Sequence, residues 1–252
     1  MIQYSNLAMN LNRISFYFLA GLLVLQGCEE ENMCDCIKST GTVVSEKRSL
    51  GDFSSLEVRK NVIVTLYQDT INYVEVEAGS NLIGLVRTEV SDGILKITND
   101  NTCNWVRSYD IEVHARVHLK NISLIEHYGS EEINCGNTLR GEFIDVFENN
   151  SADIRLNLDI VQVYARQMIG GGDIYLSGHC RFLYAFGGSF GYIYGKEMVS
   201  DSVLVDHRGT GDVHVSPNTW MKVNIDDRGN VYYSGNPVVE SYLNGAGKLY
   251  HE

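Results

Sequence analysis

The stretch Gly170-Gly171-Gly172-Asp173, followed by Ile174-Tyr175-Leu176, has the residue types of three known chemistries. Backbone N–H groups of a glycine loop can cradle phosphate, but that motif needs a trailing Lys-Ser/Thr and a helix start, and both are missing here. Glycine–aspartate turns also recur in calcium-binding β-rolls of nine-residue period. A hard cation wants six to eight oxygens, which Asp153 and Asp173 alone cannot supply. A third possibility is the carboxylate pair of polysaccharide-cleaving enzymes, for which Asp206, Asp212, Asp226 and Asp227 are the candidates, with Arg208 and Arg228 nearby in sequence. His114 and His118 share one face of a predicted strand but stand about 13 Å apart, too far to bind one ion. The sequence therefore calls for no metal and no cofactor.

The elements that would position these residues come from a repeat. From Gly129 onward a small-residue turn followed by an apolar-x-apolar trio returns seven times. The copies are GSEEINC, NSADIRL, GGGDIYL, GSFGYIY, GTGDVHV, DRGNVYY and GAGKLYH. Aligned on the residue before each trio (Glu132, Asp153, Asp173, Gly191, Asp212, Asn230, Lys248), the intervals are 21, 20, 18, 21, 18 and 18 residues. A second alternating segment lies between turns, as at Ile144-Asp145-Val146 and Val203-Leu204-Val205. Two three-residue strands cannot bury their own apolar side chains, so each unit must stack on the next. The expected fold is all-β: a right-handed parallel β-helix, or β-solenoid, with coils of about 18–21 residues. Its corners fall at glycine, which reaches positive φ without a Cβ clash. Propeller blades need about 40 residues and do not fit this period.

Upstream, Val62–Leu66, Val74–Val76, Leu95–Ile97 and Ile111–Val117 alternate as strands, with Asp92-Gly93 as a turn. They are expected to form irregular N-terminal coils over 37–125 of one domain, 37–252, with the glycine-turn repeats over 126–252.

In each trio the first and third residues should point inward. That leaves Asn134, Arg155, Tyr175, Ile193, His214, Tyr232 and Tyr250 as an outward column. Tyr175, Tyr232 and Tyr250, with His214 and Arg155, are the candidate ligand contacts. Tyrosine offers an apolar face with a polar tip, suited to glycans and to proteins, although strands favour tyrosine in any case.

The N-terminus reads as a processing segment. Arg13 precedes the apolar run Ile14–Leu25, too short to span a bilayer, and Leu25-Gln26-Gly27-Cys28 resembles the lipobox of bacterial lipoproteins. On that resemblance, residues 1–27 are removed, Cys28 carries lipid, and 28–36 form a tether to the outer membrane. Glu29-Glu30-Glu31 reads equally as a surface-export tag or as a solvated tether. Five cysteines remain, an odd number, and one of Cys34 and Cys36 is expected to join Cys103, with Cys36–Cys103 as the named pair. Twenty Lys and Arg against 32 Asp and Glu, a net charge of −12, argue against a nucleic-acid partner.

DCIKSTG (Asp35 to Gly41), CNWVRSYD (Cys103 to Asp110), HYGS (His127 to Ser130) and the GxGD turns resemble the autotransporter-adhesin head family, the GIN domain. The resemblance implies a β-helical, exported, often lipid-anchored protein that adheres, and it supplies no catalytic residues. The GxGD turn is degraded at Glu131-Glu132 and Phe190-Gly191. The leading expectation is a non-catalytic lipoprotein that binds glycan or protein, at the cell surface or on the periplasmic side. An envelope-structural or stress-sensing protein and a polysaccharide-active enzyme are the alternatives.

Overall fold

The computed structural model describes residues 39–101 and 112–252. Cys28, Cys36 and Cys103, with the lipid anchor and disulfide expected of them, lie outside the described residues. All but Ser39 of the described chain belong to one compact unit.

Two ladders of strands face each other across an apolar core. The first contains the trios: β9 (Ile133–Cys135), the leading parts of β11 (Ile154–Gln167), β12 (Ile174–Gly187), β13 (Ile193–His207) and β14 (Val213–Ile225), then β15 (Val231–Tyr233) and β17 (Leu249–His251). They pair in parallel through Ile133, Ile154, Ile174, Ile193, Val213, Val231 and Leu249. The second ladder holds β8 (Leu124–Gly129), β10 (Leu139–Glu148), the trailing parts of β11–β14, and β16 (Val238–Leu243). Its inward row is Ile125, Val146, Ala165, Ala185, Val205 and Val223, with the exposed Ser241 in register at the end. Each chain passage from one ladder to the other and back is one coil of about 20 residues, so the fold is a parallel β-solenoid of about six turns. Alternation puts every second side chain inside, and the inward Ile, Val and Leu of both ladders are buried except in the last coil, where Leu249 is partly buried. Each coil thus completes its core only on its neighbours.

The corners show why glycine recurs. At Gly170 φ is +93°, and a Cβ there would sit 1.9 Å from the Asn150 carbonyl of the coil below. The aspartates of these corners are hydrogen-bond acceptors for the next coil. Asp153 Oδ1 takes the N–H of Asp173 at 3.2 Å, Asp173 Oδ1 that of Tyr192 at 2.8 Å, and Asp212 Oδ1 that of Asn230 at 2.8 Å. Asn230 does the same for Lys248 at 3.0 Å. Asp and Asn recur because either offers an oxygen at that height for a corner backbone N–H.

Strand directions change before residue 120. β2 (Ser55–Lys60) and β3 (Ile63–Gln68) form one parallel coil. It is wedged between β6 (Ile94–Asn99) with β7 (His114–Leu119) on one side and β8 with β9 on the other, out of chain order. Beyond it β4 (Tyr73–Gly79) runs antiparallel to β7 and to β1 (Val43–Ser49), and β5 (Val86–Ser91) antiparallel to β6. The β5–β6 hairpin turns at Asp92-Gly93, with φ of 52° and 75°, the both-positive geometry of a tight two-residue loop. So short a connection excludes the parallel pairing of the coils.

A candidate ligand-binding face

Outward residues of the first ladder form a continuous stack. The Arg155 guanidinium lies 3.7 Å over the Tyr175 ring. Tyr175 stacks on Tyr194 at 4.7 Å between centroids, Tyr194 on His214 at 5.5 Å, His214 on Tyr232 at 4.7 Å and Tyr232 on Tyr250 at 5.0 Å, with planes within 20° of parallel. The spacing follows from the ladder, whose strands lie about 4.8 Å apart. Four of the five expected contacts, Arg155, Tyr175, His214 and Tyr232, are thus brought together, with Tyr250 at the end of the column and 40% exposed.

One position of the expected column is corrected. Ile193 is fully buried in register with Ile174 and Val213, and Tyr194 faces outward between Tyr175 and His214. The degraded turn GSFGYIY hides a one-residue shift, so the residue before the trio is Tyr192 rather than Gly191. A one-residue slip exchanges inside and outside. The tyrosines also differ from expectation in what they offer. Parallel rings at these separations are offset stacks, so neighbours cover the ring faces, and the column presents edges and hydroxyls to solvent.

The Tyr175 and Tyr194 hydroxyls stay protonated. Burial, then the Asp173 carboxylate, raises the pKa of Tyr194 above the usual phenol value, and burial does the same to Tyr175 against the opposing pull of Arg155. Tyr175 donates to Asp173 Oδ2 at 3.1 Å. Arg155 is held by Asp153 at 2.5 Å, with Glu132 at 3.9 Å.

Beside the column runs a trough of about 600 Å³. Tyr175, Tyr194, Asn157 and Ser177 line it, over the buried Leu156 and Leu176. One wall is a bulge of β13. Against β12, Tyr194 pairs with Tyr175 and Glu197 with Ser177, one residue extra; against β14, Gly195 pairs with Val215 and Val199 with Ser216, which leaves Lys196–Met198 unmatched. Met198 is fully buried and pins the bulge, leaving Lys196 and Glu197 exposed. Cys135 also lines the trough; burial pushes its thiol up, partly offset by the Asn157 N–H on its sulfur, so it stays protonated.

The acidic cluster assembles only in part: Asp206 and Asp226, with Arg208, line one depression of about 320 Å³ on the second ladder, and Asp212 does not join them. Asp206 lies on the outer side of the second ladder, accepting from Tyr184 at 3.1 Å and Asn224 at 2.5 Å. Asp226 pairs with Arg208 at 3.5 Å and accepts from Asn244. Asp212 belongs to the other ladder, capping Asn230. His114 sits against Glu112 at 3.1 Å, and His118 between the Tyr67 and Tyr73 rings. Among the described residues no three His, Cys, Asp or Glu groups converge to hold a metal ion.

The family model described as "Putative auto-transporter adhesin, head GIN domain" matches residues 52–237. The chain belongs to this GIN-domain family. Three solved structures share the fold of this GIN-domain chain. A putative adhesin from Bacteroides fragilis superposes with a TM-score of 0.78 at 15% identity, covering 85% of this chain and 100% of that one. A putative adhesin from Parabacteroides distasonis gives 0.63 at 20%, covering 85% and 100%. A putative lipid binding protein, also from Parabacteroides distasonis, gives 0.67 at 15%, covering 85% and 99%. At such identities the likeness concerns the fold. Curated proteins gave no match. Membership in an adhesin-like family points this GIN domain toward a binding role at the cell envelope or surface and away from catalysis.

Sequence reasoning missed two features. Tyr194 could have been found by aligning Ile193 with Ile174 instead of counting turns. The β13 bulge leaves only a small length signal, ten residues from Ile193 to Val203 against nine from Ile174 to Leu183.

Proposed function

We propose that this chain is a non-catalytic, lipid-anchored binding protein of the outer membrane that holds a glycan along the first-ladder face. The observation that supports this reading is the unbroken stack Arg155–Tyr175–Tyr194–His214–Tyr232–Tyr250, which makes a rigid outward comb of hydrogen-bonding edges. Rigid aromatic side chains lose little conformational entropy on binding, so a pre-stacked column is suited to contact rather than to turnover. Of the carboxylates that a hydrolase would pair, Asp206 is engaged by Tyr184 and Asn224, Asp226 by Arg208 and Asn244, and Asp212 lies on the other ladder. Support for the anchor comes from Cys28 and the apolar run before it; several acyl chains hold a protein durably, each buried methylene contributing about 0.8 kcal/mol.

The deciding experiment is a glycan array probed with the full chain in detergent, beside the triple variant Tyr175→Ser, Tyr232→Ser, Tyr250→Ser. Retention of a specific glycan, lost in the variant and with no turnover of the hit, is the expected result. Equal binding by both proteins ends the reading. Mass spectrometry of the mature N-terminus checks lipid on Cys28, and protease shaving of intact cells checks the outward side.

A further inference from the structure

The column and the trough beside it are chemically different surfaces. Along the column, ring faces are consumed by stacking; in the trough, carbon of the half-buried Tyr175 and Tyr194 rings and of Cys135 is turned toward a ligand, over the buried Leu156 and Leu176. Beside that carbon stand the Asn157 amide and the Ser177 hydroxyl. A pyranose ring has this division, with an apolar C–H face below and hydroxyls around its rim. The trough's volume of about 600 Å³ falls within the usual range for small-ligand sites. It is open along its length, so an acyl chain lying in it would stay largely wet, whereas a sugar needs one covered face.

Charge narrows the ligand further. The two cations at the trough are already neutralised: Arg155 by Asp153 and Glu132, and Lys196 by Glu252 at 2.5 Å. Glu197 on the bulge adds a carboxylate to the wall, and Asp173 lies behind Tyr175. The field at the rim is therefore negative, which repels uronic and sialic acids.

We propose that the trough between the stacked column and the Lys196–Met198 bulge is a subsite for a short run of uncharged sugar rings, with the bulge as the wall that sets which rings fit. The assignment rests on the binding reading above and names the ligand class for that face. Hydrogen bonds from Asn157 and Ser177 orient the ring; the edges of Tyr175 and Tyr194, with Cys135, cover its apolar face.

The test uses the full chain in detergent on an array carrying neutral, sialylated and uronic-acid glycans, with two variants at exposed positions. Asn157→Trp fills the trough and is expected to weaken neutral-glycan binding about tenfold or more. Glu197→Arg reverses the wall's charge and is expected to raise acidic-glycan binding about tenfold at low salt, with the gain lost at high salt. Circular dichroism melts confirm that both variants fold. If neutral binding is unaffected by Asn157→Trp but lost on replacing Tyr175, Tyr232 and Tyr250, the trough assignment falls while the face reading stands. Preference of the unaltered chain for acidic glycans also overturns the assignment. A protein ligand held by the tyrosines, with no glycan bound, overturns the sugar class and leaves binding by that face intact. No binding by the unaltered chain overturns both.

Discussion

His127 Nδ1 and Glu148 Oε2 lie 2.5 Å apart with both side chains fully buried. They occupy the same row of the second ladder on successive coils, and the row continues through Gln167 and, past Gly187, to His207. All four polar side chains are at most 1% exposed and sit beneath the glycine corners. Glu148 also accepts the Asn150 N–H at 2.7 Å, and Gln167 donates to the Gly170 carbonyl at 2.8 Å. Glu148 and Gln167 tie their corners to their own coils from inside, and His127 and His207 reach across to the neighbouring coil.

Breaking one member of that row leaves its partner stranded. Glu148→Ala is expected to cost about 3–5 kcal/mol, the scale for removing one partner of a buried pair. Replacing both residues together, His127→Leu with Glu148→Met, should cost less than Glu148→Ala alone. Urea unfolding of the three proteins checks the order.

The roof of the row explains glycines that positive φ does not. A Cβ on Gly229 would stand 2.0 Å from His207 Nε2 and 2.4 Å from the Gly211 carbonyl, whereas one on Gly141 meets nothing within 4 Å. Gly229→Ala should destabilise by about 1–3 kcal/mol through overpacking, and Gly141→Ala should be neutral within about 0.5 kcal/mol. Thermal melts separate them.

The corrected register makes opposite predictions for adjacent residues. Ile193→Ser removes a buried side chain and places a hydroxyl in the core, so it should cost about 3 kcal/mol or more. Tyr194→Ser interrupts the outer stack and should cost about 1 kcal/mol while reducing ligand retention. A protein in which Tyr194→Ser proved the more damaging to folding would contradict the placement.

Tyr184 supplies a pH prediction. Burial, then the neighbouring Asp206 carboxylate, raises its pKa from 10.0 to about 12. The folded state therefore holds the phenol proton more tightly than the unfolded chain. Tyr184's contribution is fully present below about pH 10 and is lost as pH rises through about 12. Tyr184→Phe should flatten the fall in stability between those values, read from denaturation midpoints at successive pH.

The corner aspartates predict indifference to calcium. Their Oδ1 atoms already accept backbone N–H groups. Chelator should leave the melting temperature unchanged, while Asp173→Ala, which strips acceptors from Tyr192 N–H and Tyr175 O–H, should lower stability by about 1–2 kcal/mol.

The coil was legible in the residues because its determinants are local. The apolar alternation of Ile174-Tyr175-Leu176, the glycine corner before it and the return of both about 20 residues later imply stacking, since one coil cannot bury its own side chains. Six of the column's seven expected outward members followed from alternation alone. What depended on tertiary structure was everything set by pairing between distant segments. The β2–β3 coil is inserted out of order, the strands at the N-terminal end reverse direction, and the row from His127 to His207 is polar yet buried. Tyr194 stands outside where counting placed Ile193. Register between coils is decided by which rows pack and which hydrogen bonds close, and a slip of one residue, invisible in composition, moves a side chain from the core to the binding face.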